Sequence, residues 1–195
     1  MDVNILLFPD FETLDAFGPV EVLGQISEYT LRYVSMDGGT ITSRQKTPIM
    51  TEPIHHTDVT GILLIPGGQG TRPLVNNDDF IRKLGDAANL STYCLTVCTG
   101  SALLARTSLL NGRKATSNKL AFEWVKSVNP SVQWMEHARW VNDGKYYTSS
   151  GVSAGIDMTL GFIADQFGEA QAREIAHHIE YVWNSDKTND PFSIC

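Results

Sequence analysis

Ser91-Thr92-Tyr93-Cys94-Leu95-Thr96-Val97-Cys98-Thr99-Gly100-Ser101-Ala102-Leu103-Leu104-Ala105-Arg106 is the stretch that decides how this chain folds. Its first seven residues are largely β-branched, aromatic or apolar, the composition of a short buried strand. Helix-forming residues from Ala102 onward follow the Thr99-Gly100-Ser101 turn almost at once. A strand that passes into a helix through one residue lifts that side chain onto a tight, strained bend. This is the nucleophile-elbow arrangement of serine hydrolases, built here around the sulfur of Cys98. The helix start offers free N–H groups and the positive end of a dipole, and both are expected to favour a thiolate. A cysteine that only fills a core needs no such turn.

Outward from this stretch, strands and helices alternate. Val3 to Phe8 reads as a first strand, followed by the Pro9-Asp10 turn and a helix through Leu14, Phe17, Val20 and Leu23. Thr30 to Ser35 is a second strand. Asp37-Gly38-Gly39 turns into a short antiparallel pair around Thr40 to Ser43 and Pro48 to Thr51. Gly61 to Ile65 is continuously apolar, as expected in the middle of a parallel sheet, and it ends in Pro66-Gly67-Gly68-Gln69-Gly70. Helices are expected over Asn76 to Asn89 and Asn118 to Ser127. Short strands are expected at Val132 to Met135, Ala138 to Val141 and Lys145 to Thr148, the last two joined by Asn142-Asp143-Gly144. Two helices broken near Phe167-Gly168 fill Ser153 to about Trp183. The pattern predicts an open α/β sandwich with a mostly parallel sheet, in which reactive loops lie at the carboxyl ends of the strands.

The 195 residues suit one domain, with a tail from about 184 to 195. A hydrophobic share of 42% and a charged share of 19% are ordinary for a globular chain and argue against disorder. The formal net charge of −7 and the lack of a basic stripe argue against nucleic acid as a partner. No apolar run approaches the length of a membrane span, and the start reads as a strand and not as a signal peptide. Cys94, Cys98 and Cys195 have no zinc-like or disulfide-scaffold spacing. Cys94 falls inside a strand and Cys195 in the tail. A reducing, cytoplasmic setting is expected.

Three segments meet the requirement of lying at strand ends. Cys98 is the first. Gly67-Gly68 is the second: paired glycines turn backbone N–H groups inward with no Cβ in the way, and with the Thr99 N–H they suit an oxyanion hole. A plain strand-to-loop turn is the other account of the pair. Asp15 is the third. It sits among apolar neighbours, where an idle carboxylate costs free energy, although a helix-end carboxylate has the same position. Asp10 and Glu12 are expected to cap the first helical turn, and Glu21 should face away from Asp15. Thiol hydrolases usually activate sulfur with a nearby imidazole, and here none is in place. His55 and His56 precede the apolar strand, His137 precedes a peripheral one, and His177 and His178 sit deep in the last helix. Glu174 and His177 have the spacing of a di-iron ligand pair, but the second pair is missing. No metal and no cofactor are expected, and a Cys98–Asp15 pair is better supported than a Cys–His triad.

Taken together, Leu14-Asp15, Gly18-Pro19 and Glu21-Val22, Ile65-Pro66-Gly67-Gly68, Val97-Cys98-Thr99-Gly100-Ser101, Leu110 to Thr116 and Gly151 to Asp157 resemble the ThiJ/PfpI superfamily. The likeness runs from Asn4 to about Trp183. Within the superfamily the pattern is most similar to the isocyanide hydratases and to the amidase-like, class I glutamine amidotransferase-like domains of certain transcription regulators. The resemblance implies a flavodoxin-like three-layer sandwich and a homodimer. It further implies that Cys98 is the nucleophile, that Asp15 interacts with it, and that Thr99 belongs to the site. Gly67 and Gly68 would lie beside these residues, and Gly151 and Val152 would flank the helix that carries the cysteine. The regulators carry an added DNA-binding domain, which is not expected here.

Two departures leave the substrate open. Ala115-Thr116-Ser117-Asn118-Lys119 stands where many relatives have Ala-Thr-Thr-His-Trp, and the tail from Glu180 to Phe192 differs from that of the hydratases. The protease branch carries a histidine directly after its cysteine, so Thr99 argues against an intracellular protease. The expected function is a cofactor-independent, cysteine-dependent hydratase or hydrolase of small carbon–nitrogen substrates, converting an isonitrile to an N-formamide. Two other classes fit the same residues: a redox-sensing or stress-response protein with an oxidisable Cys98, and an amidase-like binding module without chemistry.

Overall fold

The structure is a computed structural model and describes residues 1–193. Cys195, expected in the tail, lies outside the described residues. The chain runs β1 (Asp2–Leu6), α1 (Thr13–Leu23), β2 (Thr30–Ser35), β3 (Gly39–Thr42), β4 (Pro48–Pro53), β5 (Ile62–Ile65), α2 (Thr71–Leu74), α3 (Asp78–Leu90) and β6 (Tyr93–Thr96). It continues through α4 (Gly100–Arg106), β7 (Lys114–Ala115), α5 (Phe122–Val128), β8 (Gln133–Trp134), β9 (Trp140–Asp143), β10 (Tyr146–Ser149), α6 (Ala154–Phe167) and α7 (Glu169–His178).

Eight strands form one sheet in the order β3-β4-β2-β1-β5-β6-β10-β9. The inner pairs from β4 to β10 are parallel, and only the two edges, β3 with β4 and β9 with β10, are antiparallel. The apolar run Ile62-Leu63-Leu64-Ile65 is fully buried because β5 is flanked by β1 and β6 and covered on both faces. Helix α6 packs against α1 and α7, while α2, α3 and α5 pack on α4. Helices thus flank a mostly parallel mixed sheet. The chain builds the sheet outward from β1 through β2 to β4, then crosses over to β5, β6 and β10. That reversal puts a crevice at the carboxyl ends of β1 and β5, the usual ligand position in such sheets.

Several expected boundaries shift. The segment expected as one helix from Asn118 begins with a 3-10 turn, Lys119–Ala121, and only then becomes α5. Asn118 caps that turn by accepting the Ala121 N–H at 3.1 Å. The last helix stops at His178, so Trp183 belongs to the tail, and His177 and His178 lie exposed at the helix end and not deep within it. The expected caps of α1 are also replaced. Glu12 stands at the N-cap without capping, and Gln45 Oε1 accepts the Thr13 N–H instead, at 3.1 Å. In the last hairpin Asp143 pairs with Tyr146, which shortens the turn to Gly144-Lys145.

Candidate active site

Four parallel neighbours, β1, β5, β6 and β10, deliver their following loops to one place, which is why residues far apart in sequence meet. After β6, Cys98 adopts φ 57°, a left-handed conformation that a residue with a Cβ rarely occupies. Such a backbone costs about 1–3 kcal/mol and persists only where its surroundings over-determine it. Here they do. The Cys98 N–H donates to the Ser150 carbonyl at 3.0 Å. The Cys98 carbonyl accepts the hydroxyls of Ser101 at 3.0 Å and Ser117 at 2.8 Å, both of them buried. The elbow expected from the sequence is therefore present as geometry, and Ser117 from the departed Ala-Thr-Ser-Asn-Lys segment helps to hold it.

Asp15, on the first turn of α1, is fully buried. Its Oδ2 accepts the Gly67 N–H at 2.9 Å, while Oδ1 has no partner. Gly67 is required at this approach: a Cβ would lie 2.6 Å from the Thr99 nitrogen, 2.7 Å from Thr99 Oγ1 and 2.9 Å from Asp15 Oδ2. The Gly68 N–H donates to Thr99 Oγ1 at 3.1 Å, and the Thr71 hydroxyl lies 3.1 Å from the same oxygen. Both glycine N–H groups, expected as free oxyanion donors, are thus occupied by Asp15 and Thr99. They position the site residues. The Thr99 and Val152 N–H groups are instead the backbone donors that favour charge on the Cys98 sulfur.

Burial opposes the ionisation of both central groups. Burial pushes the Asp15 carboxyl up to about 7, against the lowering effects of the Gly67 N–H and the Cys98 thiol. Burial also drives the Cys98 thiol well above its ordinary range, and the Asp15 charge adds to this. The Thr99 and Val152 N–H groups pull the other way without prevailing. At 7% exposure Cys98 has too little water around it for a lone thiolate. The thiolate expected at the helix start is accordingly replaced by a resting thiol beside a carboxyl group, because desolvation outweighs one short helix end.

Val152 adopts φ 31°, a position with no signal in the sequence because β-branched residues avoid it. With Gly151 and Ser153 it borders a cavity of about 310 Å³ that also takes in Asn118, Leu120 and Phe192. Cys98 is not among the residues that line it. The exposed His55, His56, His137, His177 and His178 do not reach the site. Among the described residues no cluster of His, Cys, Asp or Glu could hold a metal, and no helix is long and apolar enough to cross a membrane.

A model of the DJ-1/PfpI family matches residues 1–165. The chain belongs to that family. Among relatives within and around it, isonitrile hydratase of Pseudomonas putida is 28% identical over 182 residues, which cover 93% of this chain and 78% of the hydratase. The HTH-type transcriptional regulator CdhR of Pseudomonas aeruginosa is 26% identical over 90% of this chain, which spans only 53% of that regulator. A solved ThiJ/PfpI family protein from Pseudomonas syringae superposes with a TM-score of 0.81 at 26% identity, over 98% of this chain and 77% of the other. As a DJ-1/PfpI chain, the protein carries its Cys98–Asp15 pairing on a fold shared by an enzyme and by regulators.

Proposed function

We propose that the protein hydrates small isonitriles to N-formamides, with Cys98 as nucleophile and Asp15 as the group that carries protons. The observation that carries this reading is the buried Cys98–Asp15 pair with no imidazole near it. A carboxyl group held near neutrality takes and returns a proton at physiological pH, the requirement for a general acid–base. The similarity to isonitrile hydratase supports the same chemistry.

The steps balance as follows. Cys98 Sγ bonds to the terminal carbon of the isonitrile as its proton passes to Asp15, and Asp15 returns that proton to the carbon. The product is a thioimidate, R–N=CH–S–Cys. Water adds to the same carbon, Asp15 takes one of its protons and the nitrogen gains one. The C–S bond then breaks, releasing R–NH–CHO and restoring the thiol. One water is consumed and nothing is oxidised. The Thr99 and Val152 N–H groups hold the negative charge on sulfur as it forms and leaves. Thr99, held by Gly68 and Thr71, keeps one of these donors in place. Incubation with an aryl isonitrile and product analysis test the reading: N-formamide is expected from the unaltered protein and none from Cys98→Ala. Formamide from Cys98→Ala at the unaltered rate overturns the mechanism.

A further inference from the structure

Arg72 is the one half-buried arginine among the described residues whose guanidinium has neither a hydrogen bond nor an ion-pair partner. The others are ion-paired or, like Arg44, exposed. Its guanidinium carbon lies 3.4 Å from the centre of the Trp124 ring. The stack joins α2 to α5 and fixes the plane of the cation while leaving its N–H edge unsatisfied. Arg72 also follows Thr71, whose hydroxyl is bonded to the Gly68 carbonyl at 2.7 Å and lies against Thr99 Oγ1. The short helix is thereby pinned to the loop beside Cys98. The guanidinium is half-buried, and burial holds it below its ordinary range. A half-buried cation with an open edge, oriented on an aromatic face by a helix that is tied to the residue after Cys98, is built to receive an anion.

We propose that Arg72 binds a carboxylate on the substrate, so that the protein acts on small anionic isonitriles in preference to neutral ones. The assignment deepens the hydratase reading and rests on it for the reacting group. The carboxylate contact itself is independent of the chemistry. A planar guanidinium accepts a carboxylate through two parallel N–H donors, which fixes the far end of a short substrate while Cys98 meets its terminal carbon. A purely structural role for the Arg72–Trp124 stack would leave the preference for charge untouched.

Kinetics with isocyanoacetate and its methyl ester test this, using the whole chain, Arg72→Met and Arg72→Lys. The unaltered protein is expected to favour the acid in kcat/KM by about 10- to 100-fold, the range of a charge-assisted hydrogen bond. In Arg72→Met the ratio should fall toward one, with most of the loss in KM for the acid. Arg72→Lys should recover part of it, keeping the charge without the fork. An equal acid-to-ester ratio in the unaltered protein and Arg72→Met overturns the proposal. If neither isonitrile is turned over, the hydratase reading fails, and Arg72 is judged by binding alone. N-formylglycine should then raise the unfolding temperature of the unaltered protein and not that of Arg72→Met. No rise, or the same rise in both, overturns the carboxylate assignment.

Discussion

Asp15 links the stability of this protein to its chemistry. Its carboxyl titrates near 7 in the folded chain, against an ordinary 3.8 when unfolded. The folded state therefore holds the proton more tightly, and this contribution to stability is complete below pH 4 and lost as pH rises through 7. Above that range the buried carboxylate is destabilising by about 4 kcal/mol. Asp15→Asn keeps the shape and can still accept the Gly67 N–H, so it should unfold at a higher temperature than the unaltered protein at pH 8. The gap should shrink toward pH 5, and a gap independent of pH would show that the carboxyl is not buried as described. Catalysis should run the opposite way. With Asp15 as the base, kcat/KM should rise as pH passes through about 7, and Asp15→Asn should lose roughly 100-fold or more, the range of a general acid–base. The same ionisation that weakens the fold enables the reaction, the exchange expected where a carboxylate is kept dry for use.

At the scale of elements, the elbow depends on how closely α4 approaches the end of β5. Gly100 opens α4, and a Cβ there would overlap the carbonyl oxygens of Ile65 and Pro66. Backbone atoms have no rotamer with which to give way, so Gly100→Ala should cost about 3 kcal/mol, the upper end of an overpacking penalty. Gly112, at φ 70° with open space around it, is the control. There alanine meets only the conformational penalty of about 1 kcal/mol. Urea unfolding of both variants checks the contrast, and equal losses would remove the close approach as the cause. The core strands were legible in the sequence because runs such as Ile62 to Ile65 admit only a buried place in a sheet. The two-residue strands β7 and β8 and the four-residue α2, with Pro73 inside it, are too short to set a period. Cys98 and Asp15 were legible for a related reason: each breaks a local rule, one by standing at an abrupt strand-to-helix turn, the other by setting a charge among apolar neighbours. Val152 and Arg72 obey no local signal. Their roles depend on which loops the strand order brings together, and that is decided by the whole sheet.

Across the whole molecule, the tail that follows α7 is tied back to the sheet by charges buried almost completely. Arg139 Nε donates to Asp157 Oδ2 at 2.6 Å, and its Nη1 lies 3.4 Å from Asp190 Oδ1. Lys119 Nζ donates to the Ala138 carbonyl at 2.7 Å and lies 3.9 Å from Asp190 Oδ2. Tyr181 and the Asn184 N–H complete the set by donating to Asp157 Oδ1 at 3.1 and 2.9 Å. Two cations and two carboxylates thus balance where almost no side-chain surface reaches solvent, and Asp190 is the tail's share of that balance. The arrangement reaches the candidate site, since Phe192, whose N–H donates to Asp190 Oδ1, borders the cavity beside Val152. Removing one member of a buried pair leaves its partner charged and unmatched, which costs about 3–5 kcal/mol. Asp190→Ala should therefore lose stability in that range in urea. It should also make the segment after Trp183 cleavable by dilute protease while the sheet resists. Asp190→Asn, which can still accept from Arg139 and Phe192, should show a smaller loss. If Asp190→Ala is as stable and as slowly cut as the unaltered chain, the tail is held by its apolar contacts and the buried charges are incidental to its docking.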